Sequence, residues 1–155
     1  MSDTNEQAPK DTFLEADNEA VIKHMEMYQG IITRMAGNSA ACKTWGVPFV
    51  AVIFGLVVEG KNINLVFLAI LTALVFFYLD CYYLMLENRF RDGFNDSAKK
   101  IQMGKFPQSS LYVMLPLGTE KEHWKKAFKS NSTWPLYGGL IVLLILGYLV
   151  MVSSK

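Results

Sequence analysis

Two pairs of opposite charges lie beside the long apolar stretches of this chain, and they are the residues best placed to do chemistry. Lys43 and Asp80 border apolar runs, and Arg34 and Glu87 stand further from them. Equal distances from a turn near Gly60 bring the two members of each pair to similar heights. An unpaired charge at the edge of lipid is costly, so such residues either pair with each other or line a polar path. The sequence therefore leaves open structural ion pairs and a gated ion path.

A second group of residues could bind phosphate, in a lipid headgroup or in a soluble ligand. Its basic residues stand next to aromatic ones, as in Trp124-Lys125-Lys126, a pattern that is also a weak signal for stacking on bases. No motif that reads duplex grooves is present, so we predict no duplex nucleic acid recognition. The candidates for phosphate or lipid contact are Arg89, Arg91, Lys121, Lys125, Lys126 and Lys129.

The sequence predicts neither a catalytic site nor a metal site. The two histidines, His24 and His123, are far apart in the chain, and we interpret both as surface residues rather than general bases. The two cysteines, Cys42 and Cys81, argue against a disulfide framework and are interpreted as packing residues. No nucleophile elbow, phosphate-binding glycine loop or zinc-ligand spacing is found. We therefore predict a protein that is not an enzyme and has no cofactor.

Three apolar runs must position these residues: Trp45–Glu59, Ile63–Leu79 and Trp134–Val152. Helical runs of ~20 residues cross the hydrocarbon core of a bilayer, because a helix rises ~1.5 Å per residue. The middle run has no polar face, which argues against a soluble bundle. The prediction is an all-α integral membrane helical protein with transmembrane helices at 45–59, 63–79 and 134–152.

The first two transmembrane helices are predicted to form a long antiparallel hairpin that extends into the cytoplasm. Apolar residues at helical spacing precede the first run, so a cytoplasmic helix at 18–44 continues into it; similar spacing follows the second run. In the segment 80–133, the loop 104–118 either docks on the hairpin or rests at the membrane interface, and 120–129 is an interfacial amphipathic helix. The positions expected at equal height are Met35 and Leu86, Ile32 and Phe90, Tyr28 and Phe94, and either Val21 or Ile22 with Ile101.

The distribution of positive charge predicts the orientation. Nine Lys and Arg residues lie between 81 and 133, whereas the turn between the first two runs has one, Lys61. Positive residues mark the cytoplasmic side, so the N-terminus and the basic segment 80–133 are placed in the cytoplasm. Residues 1–17 are acidic, and we predict that they form a disordered tail before a single membrane domain at 18–152.

Two stretches resemble motifs of a widespread, largely uncharacterised family of small bacterial membrane proteins. The first extends from His24 to Ser39 and on to Trp45, and the second is Tyr78-Leu79-Asp80 followed by Arg89-Phe90-Arg91. The resemblance implies a multi-span effector of antiphage defence in the bacterial inner membrane. Channel effectors of the Hailong type, gated by a nucleotide-derived ligand, are similar in architecture. The resemblance assigns no ligand-binding residue in this chain.

Two functions remain open at this point. Three spans enclose an aqueous path only in several copies, so the first is a homo-oligomeric pore or membrane-perturbing effector. Its cytoplasmic helices would gate it in response to a nucleotide-derived ligand or a cytoplasmic partner protein, with Arg34 and Asn38 near the path. Ala51 and Gly55 are small residues spaced for close helix contact. The second function is a non-conducting membrane scaffold or partner subunit that recruits a soluble protein.

Overall fold

The computed structural model describes residues 12–60 and 64–153. Helices dominate these residues, which confirms the predicted all-α class. The helices are α1 Glu19–Gly60, α2 Asn64–Gln102, α3 Glu120–Phe128 and α4 Trp134–Ser153, and the remaining elements are the strands β1 Phe13–Leu14 and β2 Phe106–Pro107 and a 3₁₀ turn at Gln108–Ser110.

The helices α1 and α2 form the predicted long antiparallel hairpin. They contain 42 and 39 residues. Close approaches at three heights fix their register. Gly46 lies against the ring of Phe76 and Gly93 against the hydroxyl of Tyr28, each so closely that an added Cβ would clash. Between them, Ser39 hydrogen-bonds to Asp80. The members of each pair lie at nearly equal distances from the turn, as the sequence predicts.

Three helices, α1, α2 and α4, are long and apolar enough to cross a membrane. Only 22%, 28% and 11% of their most apolar windows are buried within the chain. A soluble bundle would bury most of such surface, so this outward apolar surface is typical of helices that face lipid or neighbouring chains. The predicted spans at 45–59 and 134–152 lie inside α1 and α4. Residue 63, the first of the span at 63–79, lies outside the described residues.

Both helices of the hairpin continue well past their apolar windows. We use the word stalk for residues 19–44 of α1 together with residues 80–102 of α2. After α2 the chain turns back along the stalk, first as β2 and then as an extended segment at 111–119, which we call the strap. The strap hydrogen-bonds to both helices of the stalk. Of the two placements open for the loop 104–118, docking on the hairpin is therefore confirmed.

The segment predicted as a disordered tail is ordered at its C-terminal end. Phe13–Leu14 pairs antiparallel with Phe106–Pro107, and the amide of Gln108 donates to the carbonyl oxygen of Thr12 over 2.9 Å. The prediction of disorder is therefore wrong for residues 12–17. Main-chain pairing stabilises this short strand, and acidic composition carries no signal for such pairing. Residues 1–11 of the predicted tail lie outside the described residues.

Helix α4 packs mainly on α2. Val50, Ala69, Ala73 and Leu144 form a buried cluster that joins α1, α2 and α4. Gly147 of α4 admits the ring of Phe54 from α1, since an added Cβ would overlap that ring. Small residues at these positions let large neighbours fill the space between the helices.

Candidate functional site

A buried ion pair links the two helices of the hairpin where the apolar window of α2 ends. The Nζ of Lys43 lies 2.7 Å from Oδ1 of Asp80. Ser39 donates its hydroxyl to the same oxygen and accepts a hydrogen bond from Lys43 over 3.2 Å. Asp80 is fully buried. The predicted contact between Lys43 and Asp80 is therefore confirmed.

The second oxygen of Asp80 makes no comparable contacts. Oδ2 is buried and has no hydrogen-bond partner among the described residues, and the same holds for the hydroxyl of Tyr137. A buried charge is stable only when it is paired and hydrogen-bonded. The contacts of Oδ1 with Lys43 and Ser39 must therefore stabilise this buried carboxylate. In a single chain the ion pair thus locks α1 to α2 and does not form an open ion path.

The predicted pair between Arg34 and Glu87 is wrong. Glu87 instead accepts from Arg91, one turn further along α2, with Oε1 2.7 Å from Nη2 and 2.8 Å from Nε. Arg34 is exposed and forms no ion pair within the described residues. Equal height in the hairpin is insufficient for pairing, because the side chain of Arg34 leaves α1 on a side that does not face α2. A partner four residues away on the same helix is closer.

Two residues, Arg34 and Asn38, were proposed to line a path. Asn38 is half-buried and borders a shallow groove with Trp45, Phe76 and Tyr83, whereas Arg34 is exposed and does not line that groove.

The phosphate and lipid candidates divide into two groups. Arg91 pairs with Glu87, and Arg89 binds the strap through the carbonyl oxygens of Leu117 and Pro116, each 3.4 Å away. Both arginines therefore stabilise the fold. The four lysines of α3 and its C-terminus are exposed and form no ion pair among the described residues, and they are Lys121, Lys125, Lys126 and Lys129.

Aromatic packing sets the height of α3 against α2. Trp124 stacks on Tyr78 with ring centroids 5.3 Å apart, and Phe128 contacts the ring of Phe77 edge-on at 5.2 Å. Ala127 is buried in the same cluster. The predicted helix at 120–129 is therefore fixed beside the end of the apolar window of α2, with its lysines pointing away from the hairpin.

The two histidines are the residues that the sequence analysis misjudged, since both are buried rather than on the surface. Nδ1 of His24 accepts the backbone N–H of Tyr112 over 3.0 Å. Nε2 of His123 lies 2.8 Å from Oδ2 of Asp92. One signal was present: His24 is three residues after Val21 and four before Tyr28, so it belongs to the same buried helix face.

Burial sets the acid–base chemistry of His24. Removal from water disfavours the imidazolium and lowers the pKa of His24 below its ordinary value. No group of three or more His, Cys, Asp or Glu residues that could hold a metal ion is found within residues 12–60 and 64–153.

Comparison with protein-family models, with curated proteins and with solved structures returns no match. None of these comparisons bears on the resemblance to small bacterial membrane proteins, which stays a prediction.

Proposed function

We propose that this protein is a homo-oligomeric membrane protein whose copies meet along one face of α1 and form a pore or perturb the membrane. The observation that carries the proposal is a stripe of exposed residues, most of them small, along α1 from Gly30 to Gly55. They recur every three or four residues and so share one side of the helix. The stripe consists of Gly30, Thr33, Arg34, Gly37, Ala40, Ala41, Thr44, Pro48, Ala51 and Gly55.

The other exposed apolar surfaces have a different composition. Where α2 and α4 face outward, their side chains are large and apolar, which suits contact with lipid tails. Those side chains include Phe67, Leu68, Leu71, Leu74, Val75, Val142, Leu143, Ile145, Leu146 and Leu149. Small residues bring helix backbones close together inside membranes, and they gain little from lipid. The contrast therefore favours α1 as the surface between copies.

A pore would lie between the copies rather than within one of them. In a single chain the hairpin is closed by the buried pair of Lys43 and Asp80. A symmetric ring with α1 innermost brings Arg34, an exposed member of the stripe, close to the axis. The positive-inside rule orients the assembly with the stalk in the cytoplasm, where a ligand or partner protein would reach it. The role in antiphage defence rests on the family resemblance alone.

Three glycines allow a direct test of the stripe. An added Cβ on Gly37 or Gly55 meets nothing within 4 Å, and the same is true of Gly139 on α4. Leucine at any of these positions should leave the monomer fold intact. We expect Gly37→Leu and Gly55→Leu to lower the oligomer mass in native mass spectrometry and to abolish currents in planar bilayers. Gly139→Leu, the matched control, should behave as wild type.

A strictly monomeric wild-type protein would contradict the proposal, as would full assembly of both stripe variants. If the wild type conducts, Arg34→Glu should shift its reversal potential in asymmetric salt toward cation selectivity, because a negative ring near the axis attracts cations. An unchanged potential would remove Arg34 from the conduction path.

One observation favours the alternative, a scaffold that recruits a soluble protein. Tyr112, Val113 and Leu115 on the strap are half-exposed although they lie far from the apolar windows. Exposed apolar residues on a projecting module are typical of protein contact surfaces. An oligomer that stays silent in bilayers, together with loss of function on Val113→Ser and Leu115→Ser, would favour the scaffold over the pore.

A further inference from the structure

The strap is fastened to the stalk by two buried histidines, one at each end. At the far end, the backbone N–H of Tyr112 donates to Nδ1 of His24. At the near end, His123 follows the strap directly and contacts both its last residue, Thr119, and Asp92 of α2. Neither histidine takes part in the proposed pore.

The partner of His24 fixes its protonation state. Nδ1 must hold a lone pair to accept the N–H of Tyr112, so the ring is neutral and its proton is on Nε2. That Nε2 is buried without a partner among the described residues. Tyr112 has a φ of 60°, a left-handed conformation that residues other than glycine rarely adopt.

His123 holds the near end of the strap through both of its ring nitrogens. Nδ1 lies 2.9 Å from the carbonyl oxygen of Thr119, and Nε2 lies 2.8 Å from a carboxylate oxygen of Asp92. Gly118 makes this placement feasible, because any Cβ there would overlap the ring.

The charged groups around His24 do not offset this assignment. On α1, Lys23 and Glu26 flank it but pair with each other over 3.0 Å at the exposed surface. Tyr28 on the same helix and Phe106 of β2 contribute uncharged rings, each with its centroid 5.2 Å away. Within residues 12–60 and 64–153 no acidic side chain hydrogen-bonds to His24, so there a proton on Nδ1 would be a buried charge without a partner.

We propose that the strap is a clamp whose far end closes only while His24 is neutral, so that acidification releases it. When the pH falls, a proton on His24 removes the acceptor for the backbone N–H of Tyr112, and the far end of the strap is released. Release uncovers Tyr28 of the stalk and Phe106 of β2, whatever the state of assembly of the spans.

The sign of the acid effect follows from burial. The pKa of His24 is lowered in the folded chain, so the folded state binds fewer protons there than the unfolded chain. The contribution of His24 to docking is complete above the ordinary histidine pKa and is lost as the pH falls through the lowered one.

Ring nitrogen chemical shifts read the protonation state of His24 directly in the unmodified full-length protein. Solution NMR of ¹⁵N-histidine-labelled protein in nanodiscs at about pH 6.5, the ordinary histidine pKa, should give a neutral His24 with its proton on Nε2. A charged His24 at that pH would overturn the proposal without the use of any variant.

Hydrogen exchange then tests the clamp itself. The amides of Tyr112 and Leu115 should lose protection on acidification by about tenfold per pH unit below the His24 midpoint, after correction for intrinsic rates, because one proton is linked to release. His24→Asn keeps an uncharged acceptor near the position of Nδ1, and it should abolish that acid dependence. His123→Gln, the matched control, retains a donor to Asp92 and should leave the acid dependence in place. The same acid loss in His24→Asn as in wild type would refute control by His24.

Discussion

Asp80 is stabilised through only one of its oxygens, so removal of Lys43 and removal of Asp80 itself have unequal consequences. Lys43 supplies the compensating charge and remains partly exposed, whereas Asp80 has no exposed surface. Removal of the lysine therefore leaves a carboxylate that water cannot reach. Removal of the acid leaves an ammonium group that its flexible stem can bring toward solvent.

We expect Lys43→Gln to lower the free energy of unfolding by about 3 kcal/mol. Asp80→Asn should lower it by less. The double variant should lose less than the sum of the two, because neither charge is then left alone. Thermal melting in detergent of the wild type, both single variants and the double variant measures this coupling. Additive losses would show that the residues act independently.

Pairing by height succeeds for these two residues and fails for Arg34. Distance from the turn gives the height of a residue along a hairpin, but the side on which its side chain leaves the helix decides whether two residues meet. Lys43 lies one turn beyond Ser39 on the buried side of α1, whereas Arg34 belongs to the exposed stripe. The spacing of buried residues along α1 indicates on which side of the helix each residue lies, whereas the positions of the charged residues alone do not.

At the scale of elements, the close approach of the strap depends on one glycine of α2. An added Cβ at Gly93 would lie 2.7 Å from the carbonyl oxygen of Leu115 and 2.9 Å from the hydroxyl of Tyr28. That hydroxyl also accepts the N–H of Leu115 over 3.2 Å. Any side chain at Gly93 would therefore separate the strap from both helices of the stalk.

We expect Gly93→Ala to lower the free energy of unfolding by about 1–3 kcal/mol, the usual cost of overpacking. Gly30→Ala is the matched control, because an added Cβ at Gly30 meets nothing within 4 Å. It should be neutral or stabilise α1 by about 0.5–1 kcal/mol through helix propensity. Limited proteolysis by chymotrypsin after Tyr112 should also speed up in Gly93→Ala alone. Equal stability of the two variants would mean that the strap does not rest on Gly93.

The helices were predictable from sequence and the strap was not. Hydropathy and the spacing of apolar residues determine where α1, α2 and α4 form, because helices satisfy their own backbone hydrogen bonds. The strap depends on contacts between backbone atoms and single side chains, such as His24 with Tyr112. Such contacts leave no periodic signal, so the sequence could offer only two placements for this segment.

At the scale of the whole molecule, the position of α3 supports the predicted orientation. Its exposed lysines lie beside the end of the apolar window of α2, and Trp45 and Trp134 are exposed. Tryptophan and lysine at that height suit the interfacial region of a bilayer with anionic headgroups.

The orientation can be tested with cysteines at described positions. In a background with Cys42→Ser and Cys81→Ser, Lys126→Cys should be protected from an impermeant maleimide in intact cells. Glu59→Cys should be labelled, because it lies at the opposite end of the α1 span. Both positions should react after the cells are opened, which controls for access. Labelling of Lys126→Cys in intact cells, with Glu59→Cys protected, would reverse the orientation.

The helices α1 and α2 run without a break from the stalk into the apolar windows. A continuous helix transmits torque and tilt along its axis, whereas a loop at the membrane boundary would absorb them. The stalk portion of α1 extends roughly 40 Å, at ~1.5 Å per residue. We therefore expect a force at the end near His24 to reach the spans through continuous helix, and Pro48 is the place inside α1 where the helix lacks a backbone donor and could bend.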